Sequence, residues 1–363
     1  MLKERYFSPK KINNSIKKLP EYIDKDIIGK SVQNKPIYLL RIGSGPKNIL
    51  IWSQMHGNET TTTKALFEFI PWLTSKENLR ICNNFTFYII PQLNPDGAEL
   101  YTRNNFNDID LNRDGANISQ PESKCLINIY NSINPFFCFN LHGQRPIYSV
   151  GKSSKSSTIS FLAPSIDISN GVNNAREKSM LLIVSLFNKL SDDISGHISR
   201  YKDDYNPNCI GDFFSTNNTP TVLIEAGHYP NDYKREITKK YIFDSLRYST
   251  LFLYSEEYLN NSLDNYFKIP ENEEKFVDII FSGVTILSRG EKFINQMVAF
   301  QYKETLINNG KINFTPHFVS FGSKLHYNAH KKIDLSNKKN NFIQFKINFP
   351  LQNKELNDLL IIK

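Results

Sequence analysis

The sequence predicts an α/β protein whose central sheet carries helices on both faces, followed by a small, mainly β domain. Three observations carry that expectation. Short apolar runs alternate with amphipathic, helix-period segments through the first 262 residues. The runs are too apolar for surface strands, as "NILIW", "PFFCFNL" and "PTVLIE" illustrate. Beyond about residue 262 the texture changes to short alternating segments with Lys- and Asn-rich turns. A chain of 363 residues, 40% of them hydrophobic, suffices for one large domain and a smaller one. The expected division is residues 1–262 and residues 263–363.

Taken in order, residues 9–25 read as a charged helix. "IGKSVQNKPIYLLRIGSGPKNILIWSQMHG" reads as strands separated by turns at "QNKP" and "GSGP". "GSGPK" is not a phosphate loop, since no Gly-Lys-Ser/Thr follows. Residues 60–72 place apolar side chains at helical spacing, and their Thr residues are suited to cap the helix. "NFTFYIIPQLNPDG" is a strand running into a Pro-Asp-Gly turn. "ESKCLINIYNSI" is helical and "PFFCFNLHG" is a buried strand. After a long loop, "AREKSMLLIVSLFNKL" is a strongly amphipathic helix, "PTVLIEAG" a buried strand and "REITKKYIFDSLRYSTLFLYSEEYL" a long helix. The C-terminal domain should be built from "KFVDIIFSGVTI", "NQMVAFQYKE", "HFVSFG" and "NNFIQFKINF".

The formal net charge is +8, yet the basic excess is mostly Lys spread along the chain. There is no Arg-rich helix, RNA-binding aromatic motif or zinc-finger spacing, so no nucleic-acid partner is expected. The four cysteines, Cys82, Cys125, Cys138 and Cys209, form no CxxC pair, which argues against a Cys-type zinc site. Cys125 and Cys138 lie in apolar segments and read as buried free thiols, which fits a reducing compartment. "MLKERYFSPKKINNSIKKL" has no apolar core of a secretory signal, and no run reaches membrane-span length. A cytoplasmic location without membrane attachment is expected.

"SQMHGNET" sets His56 and Glu59 three apart just after an apolar strand. Alone, the pair reads equally as a loop histidine and an acid favoured in a helix's first turn. "FNLHGQ" adds His142, again at the end of a buried strand. Two histidines and one carboxylate form the open ligand set of a catalytic zinc, with a fourth position left for water. "PTVLIEAGH" ends its strand on Glu225, where an unpaired carboxylate is costly; it is either ion-paired or a general base. "NPDGAELYTRNNFNDIDLNRDG" supplies Arg103, Asn112 and Arg113 from a polar loop, suited to an oxyanion or to a bidentate carboxylate. Asp110 could accept a hydrogen bond from the outer nitrogen of a zinc histidine. His326 and His330 in "HYNAH" lie four apart but in a strand or loop, where that spacing does not converge.

The ordered set "HGNE", "NPDG", "DLNR", "LHG" and "IEAG" resembles the M14 metallocarboxypeptidases, the carboxypeptidase A-like zinc peptidases, over about residues 27–255. It looks closest to a bacterial branch seen in Bacteroidetes/flavobacteria, which carries "SQMHGNE", "NPDGA", "DLNRD" and "QPES". The resemblance implies a mixed central sheet flanked by helices and one Zn2+ per chain, held by His56, Glu59 and His142. It implies Glu225 as general base and acid, and Arg103 as the group that polarises the scissile carbonyl. It also implies Asn112 and Arg113 as the grip on the substrate's terminal carboxylate, and Asp110 as the carboxylate behind His56. The family's mobile tyrosine matches Tyr201 and Tyr205 equally loosely. Asp203, Asp204 and Asp212 are either solvated loop acids or caps, or the basis for a preference for a basic or amino-bearing side chain, and His228 either lines the site or packs against it.

The expected activity is hydrolysis of the C-terminal peptide bond. The alternatives are a zinc deacylase or amidohydrolase acting on N-acyl amino acids or cell-wall peptides, and a non-catalytic binding module. The expected partner is a peptide or acyl-amino-acid substrate with a free C-terminal carboxylate.

Overall fold

The computed structural model describes residues 4–288, 291–308 and 310–336. An eight-stranded mixed sheet has the order β1-β2-β4-β3-β5-β9-β7-β8. Its strands are β1 (Asp24–Lys30), β2 (Pro36–Ile42), β3 (Lys47–Ser53), β4 (Phe85–Ile90), β5 (Phe137–Gly143), β7 (Ile159–Leu162), β8 (Ile198–Arg200) and β9 (Thr221–Ala226). A short ribbon pairs β6 (Tyr148–Val150) with β10 (Asn272–Glu274). The helices are α1 (Pro9–Lys17), α2 (Thr60–Leu73), α3 (Leu79–Asn84), α4 (Pro95–Leu100), α5 (Pro121–Ile133), α6 (Asn174–Ile194), α7 (Ile210–Thr216), α8 (Glu236–Ser255) and α9 (Leu263–Lys268).

The central strands β4, β3, β5 and β9 run parallel. Side chains alternate across a strand, so each apolar run feeds two cores. Ile49, Ile51, Phe137, Phe139 and Leu141 join the core shared with α2, α6 and α8. Leu50, Trp52 and Cys138 face the opposite core, where α5 and α7 supply Leu126 and Phe214. Trp52 is fully buried there and meets Phe214 edge to face at 5.4 Å. By the same alternation His142 projects to the α5/α7 side of β5, and Glu225 does so from β9. These two residues are register partners, so the parallel strands deliver both at one edge of the sheet.

Several local expectations need correction. The first helix stops at Lys17 rather than residue 25, because Pro20 follows closely and the chain enters β1 at Asp24. The Thr residues of α2 do not cap it; the Thr62 and Thr63 hydroxyls bond Ser53 Oγ at 2.8 and 3.0 Å and tie the helix to the end of β3. Pro95-Asp96-Gly97 is not a turn but the first residues of α4, capped by the Asn94 side chain accepting from Gly97 N–H at 2.8 Å. The long helix after residue 235 ends at Ser255, where Glu256 takes a left-handed conformation (φ 59°).

The second sheet, order β13-β12-β11-β14, is built from β11 (Phe276–Ser288), β12 (Glu291–Ile307), β13 (Lys311–Gly322) and β14 (Asn328–Asp334). The expected strand "NNFIQFKINF" lies outside the described residues. Residues Tyr266 and Ile269 before this sheet are buried in the larger core. The β sheet is tied to the rest by polar contacts. Tyr233 Oη donates to Asp278 at 2.7 Å, His330 Nε2 meets Pro146 O at 2.6 Å, and Arg5 Nη2 meets Glu304 Oε2 at 2.8 Å.

Candidate active site

The loop after β3 is fixed by its own polar groups. Gln54 takes a left-handed conformation (φ 54°), and its Nε2 donates to Gly57 O at 2.7 Å. Asn94 Nδ2 donates to Met55 O, and the N–H groups of Gly57 and Asn58 donate to Arg103 O and Thr102 O. A Cβ on Gly57 would fall 1.9 Å from the Gly97 carbonyl carbon, so only glycine lets the two loops touch here. Glu59 occupies the N-cap position of α2 but does not cap it. Its carboxylate turns instead to the histidines and accepts from Gly143 N–H at 2.9 Å.

His56 and His142 present the same ring atom to one point, with their Nδ1 atoms 3.2 Å apart. Glu59 Oε1 lies 2.7 Å from His56 Nδ1, and Oε2 lies 3.0 Å from His142 Nδ1. Among the described residues this is the one group of His, Cys, Asp and Glu donors that converges, all three within 4.8 Å. Tetrahedral zinc with bonds of about 2.0–2.1 Å sets neighbouring donors about 3.3–3.4 Å apart. The separation of the two imidazole nitrogens is close to that, so the residues fit the metal in kind and spacing. His56 Nε2 lies 3.0 Å from Asp110 Oδ1. A proton held there leaves the lone pair of Nδ1 facing the centre.

Electrostatics fit a cation. Burial opposes the imidazolium of His56, but Glu59 and Asp110 outweigh it and hold its pKa above the usual value. Burial also opposes the charged form of Glu59, yet the two histidines hold that carboxyl well below the carboxylate range. Burial keeps His142 neutral, the form that binds metal. Replacing Asp110 by Asn, which keeps the size but weakens acceptance from His56, is expected to reduce zinc affinity about 10–100-fold, read by competition with a chelator.

Around the donors is a cavity of about 460 Å3, and every residue expected at the site lines it except Asp110. Asp110 stands behind it, accepting from Arg103 Nε at 3.0 Å as well as holding His56. Arg103 Nη1 lies 3.7 Å from Glu59 Oε1. Asn112 is anchored because its Oδ1 accepts from Ile210 N–H at 3.1 Å, and Arg113 Nη1 donates to Cys209 Sγ at 3.0 Å. Glu225 is buried and its Oε2 has no hydrogen-bond partner. Burial, and then the charge of Glu59, push its carboxyl up to about 8.

Tyr201 lines the cavity with its hydroxyl 3.4 Å from that of Tyr148, whereas Tyr205 does not line it. Asp203 is ion-paired with Arg176, and Asp204 is exposed beside Lys202. Asp212 is not a solvated loop acid: it is buried in the cavity wall, and burial pushes it up to about 7. His228 lines neither this cavity nor its neighbour and packs against Tyr233 and His330. His326 is exposed, and it forms no donor cluster with His330. Asn140 escaped the sequence reading. It is fully buried, neither amide atom has a partner, and it faces the cavity. Its position two residues before His142, on the same face of β5, was the available signal.

Residues 10–175 match the family model described as zinc carboxypeptidase. Carboxypeptidase SOL1 of Arabidopsis thaliana is 31% identical over 137 residues, covering 32% of this chain and 28% of that protein. Carboxypeptidase M of Mus musculus is 28% identical over 144 residues, covering 32% of each. The chain therefore matches less than a third of either relative's length. A metallo-carboxypeptidase from Pseudomonas aeruginosa, solved with (2-guanidinoethylmercapto)succinic acid, shares the fold with a TM-score of 0.56 at 18% identity over 70% of each chain. The segment that matches the zinc carboxypeptidase model, residues 10–175, is the one that carries His56, Glu59 and His142.

Proposed function

We propose that the chain is a zinc-dependent metallocarboxypeptidase that removes the C-terminal residue of a peptide. The observation that carries this is one cavity holding both the His56–Glu59–His142 donor set and the Asn112–Arg113 pair. Zinc bound to those three donors would supply Lewis acidity toward a carbonyl oxygen and toward water. Asn112 and Arg113 grip the terminal carboxylate through their amide and guanidinium donors. That grip sets the last peptide bond beside the donor cluster, so that little orientational freedom is left to lose at the transition state. Arg103 donates to the carbonyl oxygen as negative charge grows on it. Glu225 takes a proton from the attacking water and returns it to the leaving amine.

Tyr201, on the cavity wall, is assigned as the tyrosine that closes over the substrate. Asp212 and Asn140 line the pocket for the departing side chain, and the buried carboxyl of Asp212 favours an amino-bearing one. The curated relatives are named carboxypeptidases, which supports peptides over the deacylase substrates. Among the described residues no helix is long and apolar enough to cross a membrane. The free thiols of Cys82, Cys125, Cys138 and Cys209 support a reducing compartment, the cytoplasm being our assignment.

The test uses zinc-loaded protein and paired peptides with a free or an amidated C-terminus. Release of a single terminal amino acid from the free peptide is expected, with at least about a hundredfold loss of kcat/KM on amidation, since the charged contacts to the carboxylate disappear. Equal cleavage of both peptides, or none of either, would overturn the reading.

A further inference from the structure

Beside the first cavity lies a second, of about 370 Å3. The two share a wall that includes Glu59, Gly143 and Gln144. Asn112 and Arg113 line only the first, whereas Arg5, Arg235 and β12 residues Gln301–Glu304 line only the second. A peptide gripped at Asn112 and Arg113, with its last peptide bond at the metal donors, has its acyl half beyond those donors. The second cavity adjoins the first through the donor Glu59, and β12 forms part of its wall.

The charges in this wall are unequal. The guanidinium of Arg5 is neutralised by Glu304, with contacts of 3.0 and 2.8 Å, and Tyr101 Oη donates to the same carboxylate. Arg235 has no such partner. It is 3% exposed, its Nη1 has no acceptor, and its Nη2 reaches only Gln144 O at 3.4 Å. No carboxylate among the described residues forms an ion pair with it. Burial, and then the nearby Arg5, bring its pKa down to about 10, which still leaves it charged at neutral pH. Its backbone is also left-handed (φ 57°, ψ 29°), an uncommon state for a side chain of this size. Glu304 and Asp232 offset part of the Arg235 charge from a distance, but a buried guanidinium that no carboxylate touches is still disfavoured. One that lines a cavity continuous with the catalytic wall has room for an anion brought by a ligand.

We propose that the second cavity is the acyl-side subsite and that Arg235 binds a substrate carboxylate there, so that preferred peptides carry an acidic residue within two positions upstream of the scissile bond. This rests on the carboxypeptidase reading above. Arg235 touches substrate at a distance from the reacting bond, so it selects the peptide without taking part in proton transfer.

The experiment compares Glu with Gln at each of those two positions, in peptides otherwise identical, with zinc-loaded full-length protein. The wild type is expected to favour Glu by about 10–100-fold in kcat/KM at one position, the usual worth of a charge-assisted contact to a desolvated partner. Arg235→Gln should bring that ratio close to one and Arg235→Lys should keep part of it, whereas Arg145→Gln, which removes a cation that lines both cavities but is exposed and paired with Glu274, should leave it in place. A wild-type ratio near one at both positions would overturn the proposal, as would a ratio that survives Arg235→Gln or that Arg145→Gln removes. The wild-type ratio decides the preference even if Arg235→Gln fails to fold, and Arg235→Lys then tests the residue. Hydrolysis of the Gln peptides without any gain from Glu sinks only the subsite. Failure to cleave either series sinks the carboxypeptidase reading itself.

Discussion

Replacing Glu225 by Gln is expected to lower kcat by about 10³–10⁴-fold while zinc content and fold stay intact. The size of the effect follows from what the carboxyl is placed to do. Glu225 sits at the end of β9 as register partner of His142, so the sheet itself holds it beside the donor cluster. Its Oε2 has no hydrogen-bond partner, and burial together with Glu59 raises its pKa to about 8. A carboxyl kept for structure would be paired. One with a free oxygen and a proton affinity near neutrality suits a group that must take up a proton and release it within one turnover. Gln keeps the volume and loses only the basicity, so stability should change by no more than about 1 kcal/mol. The measurement is kcat on a peptide with a free C-terminus, alongside metal content by atomic absorption. A zinc-replete variant within tenfold of wild type would remove Glu225 from the role.

What the sequence reveals, and what it conceals, follows the same physics. His56, His142 and Glu225 are legible because each ends an apolar run, and β3, β5 and β9 are neighbours whose C-terminal ends meet. Buried parallel strands cannot hide their pattern. Local punctuation is harder. Pro95-Asp96-Gly97 satisfies the rules for a turn and for a helix start alike, and the Asn94 cap decides for the helix. The Thr residues of α2 have the chemistry of caps, but the competing bond to Ser53 wins. Tyr201 is separated from Tyr205 only by the three-dimensional path of its loop. The Arg235 cavity was invisible for a stronger reason. Its wall joins Arg5 to Glu304, 299 residues apart, and its informative feature is a missing partner, which no local motif records.

Removing the metal is expected to abolish turnover, by at least about 10³-fold, and adding zinc should restore it. The donor cluster explains why. Glu59 and Glu225 repel each other inside a buried site, the repulsion that helps to raise Glu225. Two imidazole nitrogens stand 3.2 Å apart beside Glu59. A dication held by His56, Glu59 and His142 would offset the repulsion, and so would favour the folded arrangement as well as the chemistry. At free zinc a thousandfold above Kd, the folded state should gain about 4 kcal/mol, and chelation should lower Tm by roughly 5 °C. Because the histidines must be neutral to bind, affinity should fall as the pH falls. His142→Ala separates metal chemistry from general damage by a chelator. It removes one of three donors, so its lost activity should not return on adding zinc, while the chelated wild type recovers. Turnover that persists in exhaustively chelated protein, or a His142→Ala variant as active as the parent, would mean that hydrolysis does not run through this cluster.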